Sequence, residues 1–384
     1  MRVYLDHNAT TPLRAEVLDV MAPVLGEVFG NPSSTHQEGA AARRIVDRAR
    51  EQVARAVGCE AADVTFTAGA TEANNAVIQS LRSAETPWRR LITTAIEHPS
   101  VTEPAAALER EGIAVTWLGV DANGRLDLGE LSGALAGAPA LVSVIWANNE
   151  TGVLQPMEPI AERVRAAGSW LHVDATQALG KTPVDLGAVG AHWLSCSAHK
   201  LNGPKGTGAL VARDAPVLPP LLCGGPQERR ARGGTENVAG IAGLGAACEL
   251  ATAELGARIE HYRGLRDRLW QGLAGKLPDL RWNAGDADPD GILPNTLSVE
   301  FAGAAGEMLL QALDLAGVAA SAGAACHSGS VTPSHVLSAM GRTPEQARAT
   351  LRLSVGWGND EAQIDEVIGH LVELVPRVRQ AVGA

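Results

Sequence analysis

Apolar positions along this chain alternate between two periods. Ile45, Ala49, Val53 and Val57 recur at helical spacing with Arg43, Arg44, Asp47 and Arg48 between them, which predicts an amphipathic helix closed by Gly58. Beyond it, short apolar runs suited to strands alternate with helical stretches: Val64 to Thr67, Arg90 to Ile96, Val115 to Val120, Ala140 to Ala147, Trp170 to Val173, Trp193 to Ser197 and Gly208 to Val211. That alternation predicts a mainly parallel sheet covered by helices, an α/β fold. At the other end of the chain, Pro12 after Thr10 and Thr11 suits the first position of a helix, with an extended arm before it.

A long helical pattern from the region of Gly245 through Leu273 leads to an end with a different organisation. Its strand candidates are Thr296 to Phe301, Val318 to Ser321 and Leu351 to Val355. A boundary near Leu255 follows, with a large domain over 13–254 and a smaller α+β domain over 255–384 joined by the arm 1–12. The stretch from about 319 to 333 is poor in bulky side chains and reads as a mobile loop.

Composition narrows the class. The chain has 384 residues, 46% of them hydrophobic but only 3% aromatic, so Ala, Val and Leu must fill the core. A net charge of −11 argues against nucleic acid as a direct partner, although Arg229, Arg230 and Arg232 could meet a local anion. The opening MRVYLDHNATTP has no apolar signal core and no run reaches spanning length, so a cytoplasmic protein without membrane contact is expected. The five cysteines form no CxxC pair and no metal spacing; Cys59, Cys196 and Cys248 read as small buried hydrophobes.

In open α/β sheets ligands collect at the carboxyl ends of strands, where this chain carries Ala68 to Asn75, Glu97-His98, Asn148 to Glu150, Asp174 to Gln177 and His199-Lys200. Lys200, in SCSAHKLNGPKGTG, could form an imine with an aldehyde if held neutral, or be a surface lysine in a turn. Asp174 could keep a pyridine nitrogen protonated, or cap the segment that follows it. In FTAGATEANN the free amides at Ala70 and Thr71, with the Thr71 hydroxyl, suit a phosphate. His98 could stack on a ring and exchange protons, Ser197 and His199 could reach the same phosphate, and Gln177 a phenolic oxygen. Jointly these groups describe a site for pyridoxal 5'-phosphate.

The motifs YLDHNATTP, NPSSTHQEG, FTAGATEANN, EHPSV, NNETGVLQP, HVDATQALGK, SAHKLNGPKGTGAL, RGGTEN, SAGAACHSGS, PSHVLSAMG and RLSVG, in this order and nearly end to end, resemble the cysteine desulfurases of the NifS/IscS type. The resemblance implies a fold-type I pyridoxal phosphate transferase with a mainly parallel seven-stranded sheet in its large domain, in most cases a homodimer. Its activity would convert L-cysteine to L-alanine. Lys200 would be the Schiff-base lysine, Asp174 the partner of the pyridine nitrogen and His98 the stacking acid/base. Ala70, Thr71, Ser197 and His199 would hold the phosphate, with Thr235 reaching it from the other subunit. Asn149 and Gln177 would steady cofactor and substrate, and Arg352 would take the substrate carboxylate.

Cys326, in SAGAACHSGS, would attack the substrate sulfur and carry it as a persulfide to an acceptor, an iron-sulfur scaffold or a tRNA-thiolation relay protein. Other implied activities are selenocysteine lyase or aminotransferase chemistry on the same fold, and a sulfur-transfer scaffold without catalysis. The chain departs from the pattern at His327, where threonine is common and where an imidazole could tune the thiol. It departs again at Trp357-Gly358, where an arginine and an aromatic are usual, and at Pro226, Arg230, Ala231 and Gly233.

Overall fold

The computed structural model describes residues 2–285, 289–322, 326–327, 330–331 and 333–383. A seven-stranded sheet runs in the order Val64–Thr67, Gly208–Ala212, Trp193–Ser197, Trp170–Asp174, Leu141–Ile145, Arg90–Thr94 and Ala114–Leu118. Gly208–Ala212 is antiparallel to both of its neighbours, and all other pairings are parallel. The parallel strands are apolar on both faces because helices cover both, and every residue of Leu141–Ile145 is buried. With few aromatics available, Val, Leu and Ala fill most of this core, and Trp88 packs edge-on against Trp193 on one side.

The helix expected around Val53 spans Gln37–Val57 and ends at Gly58, whose φ of 69° is the left-handed conformation that a glycine stop supplies. Two expectations need correction. The long helix from Gly245 to Leu273 is two, Val238–Ala253 and Leu255–Ala274, bent by 75°. The first is buried on nearly every face against Gln37–Val57, while the second turns Tyr262, Leu265, Leu269 and Leu273 towards a separate apolar cluster. One straight helix could not serve both cores. At the break, the Glu254 carboxylate receives Arg14 at 2.6 Å and Arg258 at 2.9 Å.

The first helix begins at Ala15 rather than Pro12. Both the amide and the hydroxyl of Thr11 donate to the His199 carbonyl, at 2.9 and 2.8 Å, and Asn202 donates to the Pro12 carbonyl. These bonds hold the arm extended across the loop that carries Lys200.

The second cluster lies under an antiparallel sheet ordered Ser321–Ala322, Thr350–Ser354, Thr296–Phe301 and Leu280–Trp282. The arm joins it, with Val3–Tyr4 parallel to Val318–Ala319. Of the expected mobile loop, residues 323–325, 328–329 and 332 lie outside the described residues, as do the side chains of Cys326 and His327. The backbone of Cys326–His327 pairs antiparallel with Ser330–Val331. Among the described residues no single helix is long and apolar enough to cross a membrane.

Backbone contact fixes one glycine beside the future site. A Cβ on Gly208 would stand 2.5 Å from the Cys196 carbonyl oxygen and 2.7 Å from the Gly69 Cα. Gly208→Ala is therefore expected to cost about 1–3 kcal/mol through overpacking, read as a lower guanidinium midpoint; an unchanged midpoint would show that the two strand ends can part without strain.

Candidate active site

A cavity of about 1090 Å³ opens where the carboxyl ends of the large sheet face the antiparallel sheet and the arm. Each strand end contributes a different kind of group. After Val64–Thr67, Gly69 adopts φ 152°, which favours glycine, and opens the helix Ala70–Gln79 with no side-chain cap. The first amides of that helix, at Ala70 and Thr71, are free for an anion at the cavity wall.

After Arg90–Thr94 comes His98, which caps the helix Pro99–Arg110: its Nδ1 accepts from the Ser100 amide at 3.1 Å and lies 2.8 Å from the Ser100 hydroxyl. A ring nitrogen that accepts an amide leaves the proton of a neutral imidazole on Nε2. Burial pushes the His98 pKa down, with Asp174 pulling the other way and Lys200 and His335 adding to the drop.

Asp174 ends its strand 3% exposed, its Oδ2 accepting from Asn74 at 2.7 Å and its Oδ1 from the Thr176 amide at 3.0 Å. The residues after it form turns, not the capped helix that was the alternative. Gln177 donates from Nε2 to the Asn8 carbonyl at 2.8 Å. Asn149 receives two donors on its backbone carbonyl, Asn8 Nδ2 and Arg352, both at 3.1 Å, while its carboxamide makes no hydrogen bond to another described residue.

Lys200 follows Trp193–Ser197 in a short helical turn, with Ser197 and His199 beside it on the cavity wall. Its Nζ donates to the carbonyls of Asn8 and, at 2.7 Å, Ala9. Burial pushes its pKa down to about 8, helped by Arg352 and opposed by Asp6 and Asp174. His199 falls to about 4, chiefly by burial and then by Lys200. Lys200 is thus no surface lysine in a solvated turn.

Arg352 reaches the cavity from the antiparallel sheet, but its NH2 is paired with Asp6 at 2.7 Å, while its buried Nε has no partner among the described residues. The cavity thus brings together Ala70, Thr71, His98, Asn149 and Asp174 with Gln177, Ser197, His199, Lys200 and Arg352. Thr235 is not among them; it lines a separate cavity of about 210 Å³ next to Phe66 and Glu228. Cys326 lies outside the described residues as far as its side chain is concerned. Of the arginine run, Arg232 pairs with Glu72 at 3.0 Å, and Arg229 donates to the Val64 carbonyl.

Cys196 and Cys248 are buried as expected, while Cys59 is only half-buried; burial pushes Cys59 and Cys196 up to about 12 and Cys248 well above its ordinary value. All three are unreactive thiols at neutral pH. Three residues that matter here carry no spacing signal: Asn8, which works partly through its backbone carbonyl, Asn74 behind Asp174, and Lys181 behind Gln177.

A lysine with a pKa of about 8 should react as a free amine at much lower pH than an ordinary one. In the cofactor-free protein, labelling of Lys200 by an amine-acylating reagent, followed by mass spectrometry, should rise half-maximally near pH 8. A midpoint near that of the surface lysines would refute the desolvated amine.

The match to known proteins covers the whole of this arrangement. Residues 3–367 match the aminotransferase class-V family. A cysteine desulfurase of Trichormus azollae is 44% identical over 377 residues, covering 98% of this chain and 94% of the relative. The structure of a NifS-like protein superposes with a TM-score of 0.91 at 36% identity, covering 98% of this chain and all of the other. SspA, solved in complex with cysteine, superposes with a TM-score of 0.81 at 32% identity over 93% of this chain and 99% of its own. The chain belongs to the aminotransferase class-V family, among its cysteine desulfurases.

Proposed function

We propose that the cavity holds pyridoxal 5'-phosphate and L-cysteine, and that the sulfur of the cysteine leaves as a persulfide on Cys326 while L-alanine is released. The observation that carries this reading is the Lys200 amine, desolvated to a pKa of about 8 in the same cavity as the buried Asp174 carboxylate. The donor set fits the cofactor. The free amides of Ala70 and Thr71, with Thr71, Ser197 and His199, offer a phosphate its hydrogen bonds, and the buried Thr176 hydroxyl in the cavity wall has no partner among the described residues. In the proposed dimer, Thr235 of a second copy completes that end.

When bound, the cofactor supplies an aldehyde for amines and an electron-poor ring that stabilises negative charge on a substrate carbon. The chain does the rest. Asp174, oriented by Asn74 and the Thr176 amide, keeps a proton on the ring nitrogen. Lys200 alternates between anchoring the cofactor and moving a proton, which suits an amine whose pKa lies near the working pH. His98, with Nδ1 held by Ser100, offers its Nε2 proton towards the cavity. Asn149 and Gln177 steady the ring side. Arg352 takes the substrate carboxylate on the donors that Asp6 and Asn149 leave free, and the Asp6 pair fixes the fork's plane. The thiolate of Cys326 attacks the substrate sulfur, an S–S bond forms as the C–S bond breaks, and a proton completes alanine.

Residues 13–254 serve as the cofactor-binding domain, and 255–384 with the arm bring the cysteine-bearing segment to it. The acceptor is a protein that takes sulfur for iron-sulfur clusters or thiolated products. The cysteine bound by SspA supports the substrate assignment.

The decisive experiment incubates the purified protein with L-cysteine and a reductant and scores alanine and sulfide. Wild type should form both in equal amounts, and Cys326→Ala should lose sulfide release. Full turnover by Cys326→Ala would point instead to a lyase or aminotransferase on this fold, and no alanine from wild type would leave a scaffold. Separately, Arg352→Lys should raise the KM for cysteine about 10- to 100-fold, the loss expected of a charged bidentate contact, while Cys326→Ala should leave cysteine binding in place.

A further inference from the structure

Lys181 is a buried lysine that none of these steps uses. It is 4% exposed and lies one turn beyond Gln177, in the loop after Trp170–Asp174. Among the described residues it has no carboxylate partner, and the charged groups around it, Lys200, Arg352 and Arg258, are all cations. Burial first, and these neighbours second, push its pKa well below that of an ordinary lysine. Such a group is costly to keep, and an apolar side chain of similar length would fill the space more cheaply. It does not line the main cavity; it lies behind it, beside His7 and Tyr262.

Its one side-chain hydrogen bond among the described residues is informative. Lys181 Nζ donates to Gln177 Oε1 at 2.6 Å. On the other side, Gln177 Nε2 donates to the Asn8 carbonyl at 2.8 Å, the same carbonyl that receives Lys200. Charged or neutral, an amine has an N–H to give, and a backbone carbonyl can only accept. Donor on one side and acceptor on the other leave the carboxamide a single orientation. One of its two N–H groups goes to Asn8, and the second has no acceptor among the described residues although Gln177 lines the cavity.

We infer that Lys181 is a positioning residue that acts through Gln177, fixing the carboxamide so that an N–H rather than a carbonyl meets an acceptor oxygen of the bound ligand. The inference rests on the reading of Gln177 as a contact to the phenolic oxygen of pyridoxal phosphate. Without Lys181 the buried Oε1 loses its donor and the amide is free to turn, so the cofactor meets a lone pair for part of the time.

The test is a double-mutant cycle of Lys181→Met with Gln177→Ala, plus Lys181→Gln as a neutral variant that can still donate. Each protein is stripped of cofactor and titrated with pyridoxal phosphate, followed by visible absorbance. The pH midpoint of the bound chromophore and the melting temperature are then recorded. Lys181→Met should raise the half-saturating concentration about tenfold, the scale of one hydrogen bond. It should also move the pH midpoint up, because an N–H on a phenolic oxygen favours the deprotonated form. In the Gln177→Ala background the same substitution should change neither quantity, since coupled residues are not additive. Lys181→Gln should recover part of the loss, and it carries the cycle alone if Lys181→Met does not fold. Equal effects in both backgrounds, or a lowered melting temperature with an unmoved midpoint, would overturn the inference and leave a structural lysine. Wild type that takes up no pyridoxal phosphate would defeat the reading of the whole site, a result distinct from normal uptake with additive variants.

Discussion

One buried asparagine bonds to both sheets. Asn8 donates its amide to the Ser354 hydroxyl and its Nδ2 to Thr296 Oγ1 and the Asn149 carbonyl, and its Oδ1 accepts from Asn295 Nδ2. Its carbonyl takes both Lys200 and Gln177. A single residue of the arm thus contacts the antiparallel sheet and three strand ends of the parallel one. The amine on which the chemistry depends is held by backbone belonging to neither sheet. Side chains placed this way are precise because the carbonyl that orients them is itself fixed at four points. The extended course of Thr11 and Pro12 follows from the same need: a helix beginning at Pro12 would withdraw the arm from His199 and Asn202.

Cations gather on one wall of the cavity in an acidic chain. The protein carries −11 overall, yet Lys181, Lys200, Arg258 and Arg352 cluster at or behind this wall, each close enough to depress a neighbour's proton affinity. Asp6 and Asp174 offset part of that potential, and each is committed, Asp6 to Arg352 and Asp174 to Asn74 and the Thr176 amide. Cations gathered on one wall favour anions there and depress lysines, although Glu72 and Glu150 also line the cavity. Both effects serve a site that handles a phosphate, a carboxylate and a reactive amine, and one cluster of cations produces them together.

The parallel sheet and its polar strand ends were legible because buried strands announce themselves as apolar runs and the chain must turn at their ends. Lys200, Asp174 and His98 could be named for that reason, each being a chemically distinctive residue at a strand end. Asn8 could not, because its part is played by a carbonyl that every residue possesses. The Asp6–Arg352 pair joins positions 346 apart, and no local pattern anticipates it. Nor did periodicity reveal the 75° bend at Glu254: both helices are regular, and the bend answers to two cores that only the folded chain possesses. His98 shows that competing readings need not exclude each other, since it caps a helix with one nitrogen and turns the other side of its ring to the cavity.

Trp357 shows how a departure from the family pattern is absorbed. Its indole lies under the Arg14 guanidinium, 5.1 Å from the ring centroid to the Cζ, and Arg14 is itself paired with Glu16 and Glu254. Glu254 stands at the break between the two long helices, so the indole belongs to a cluster that braces this bend. Trp357 also borders the small void behind Lys181 and Lys200, and it does not line the main cavity. The group that occupies this corner therefore bears on the back of the wall that holds the lysine, while the surface facing the ligand is built from other residues. Its aromatic face offers Arg14 a cation–π contact in addition to the two carboxylates.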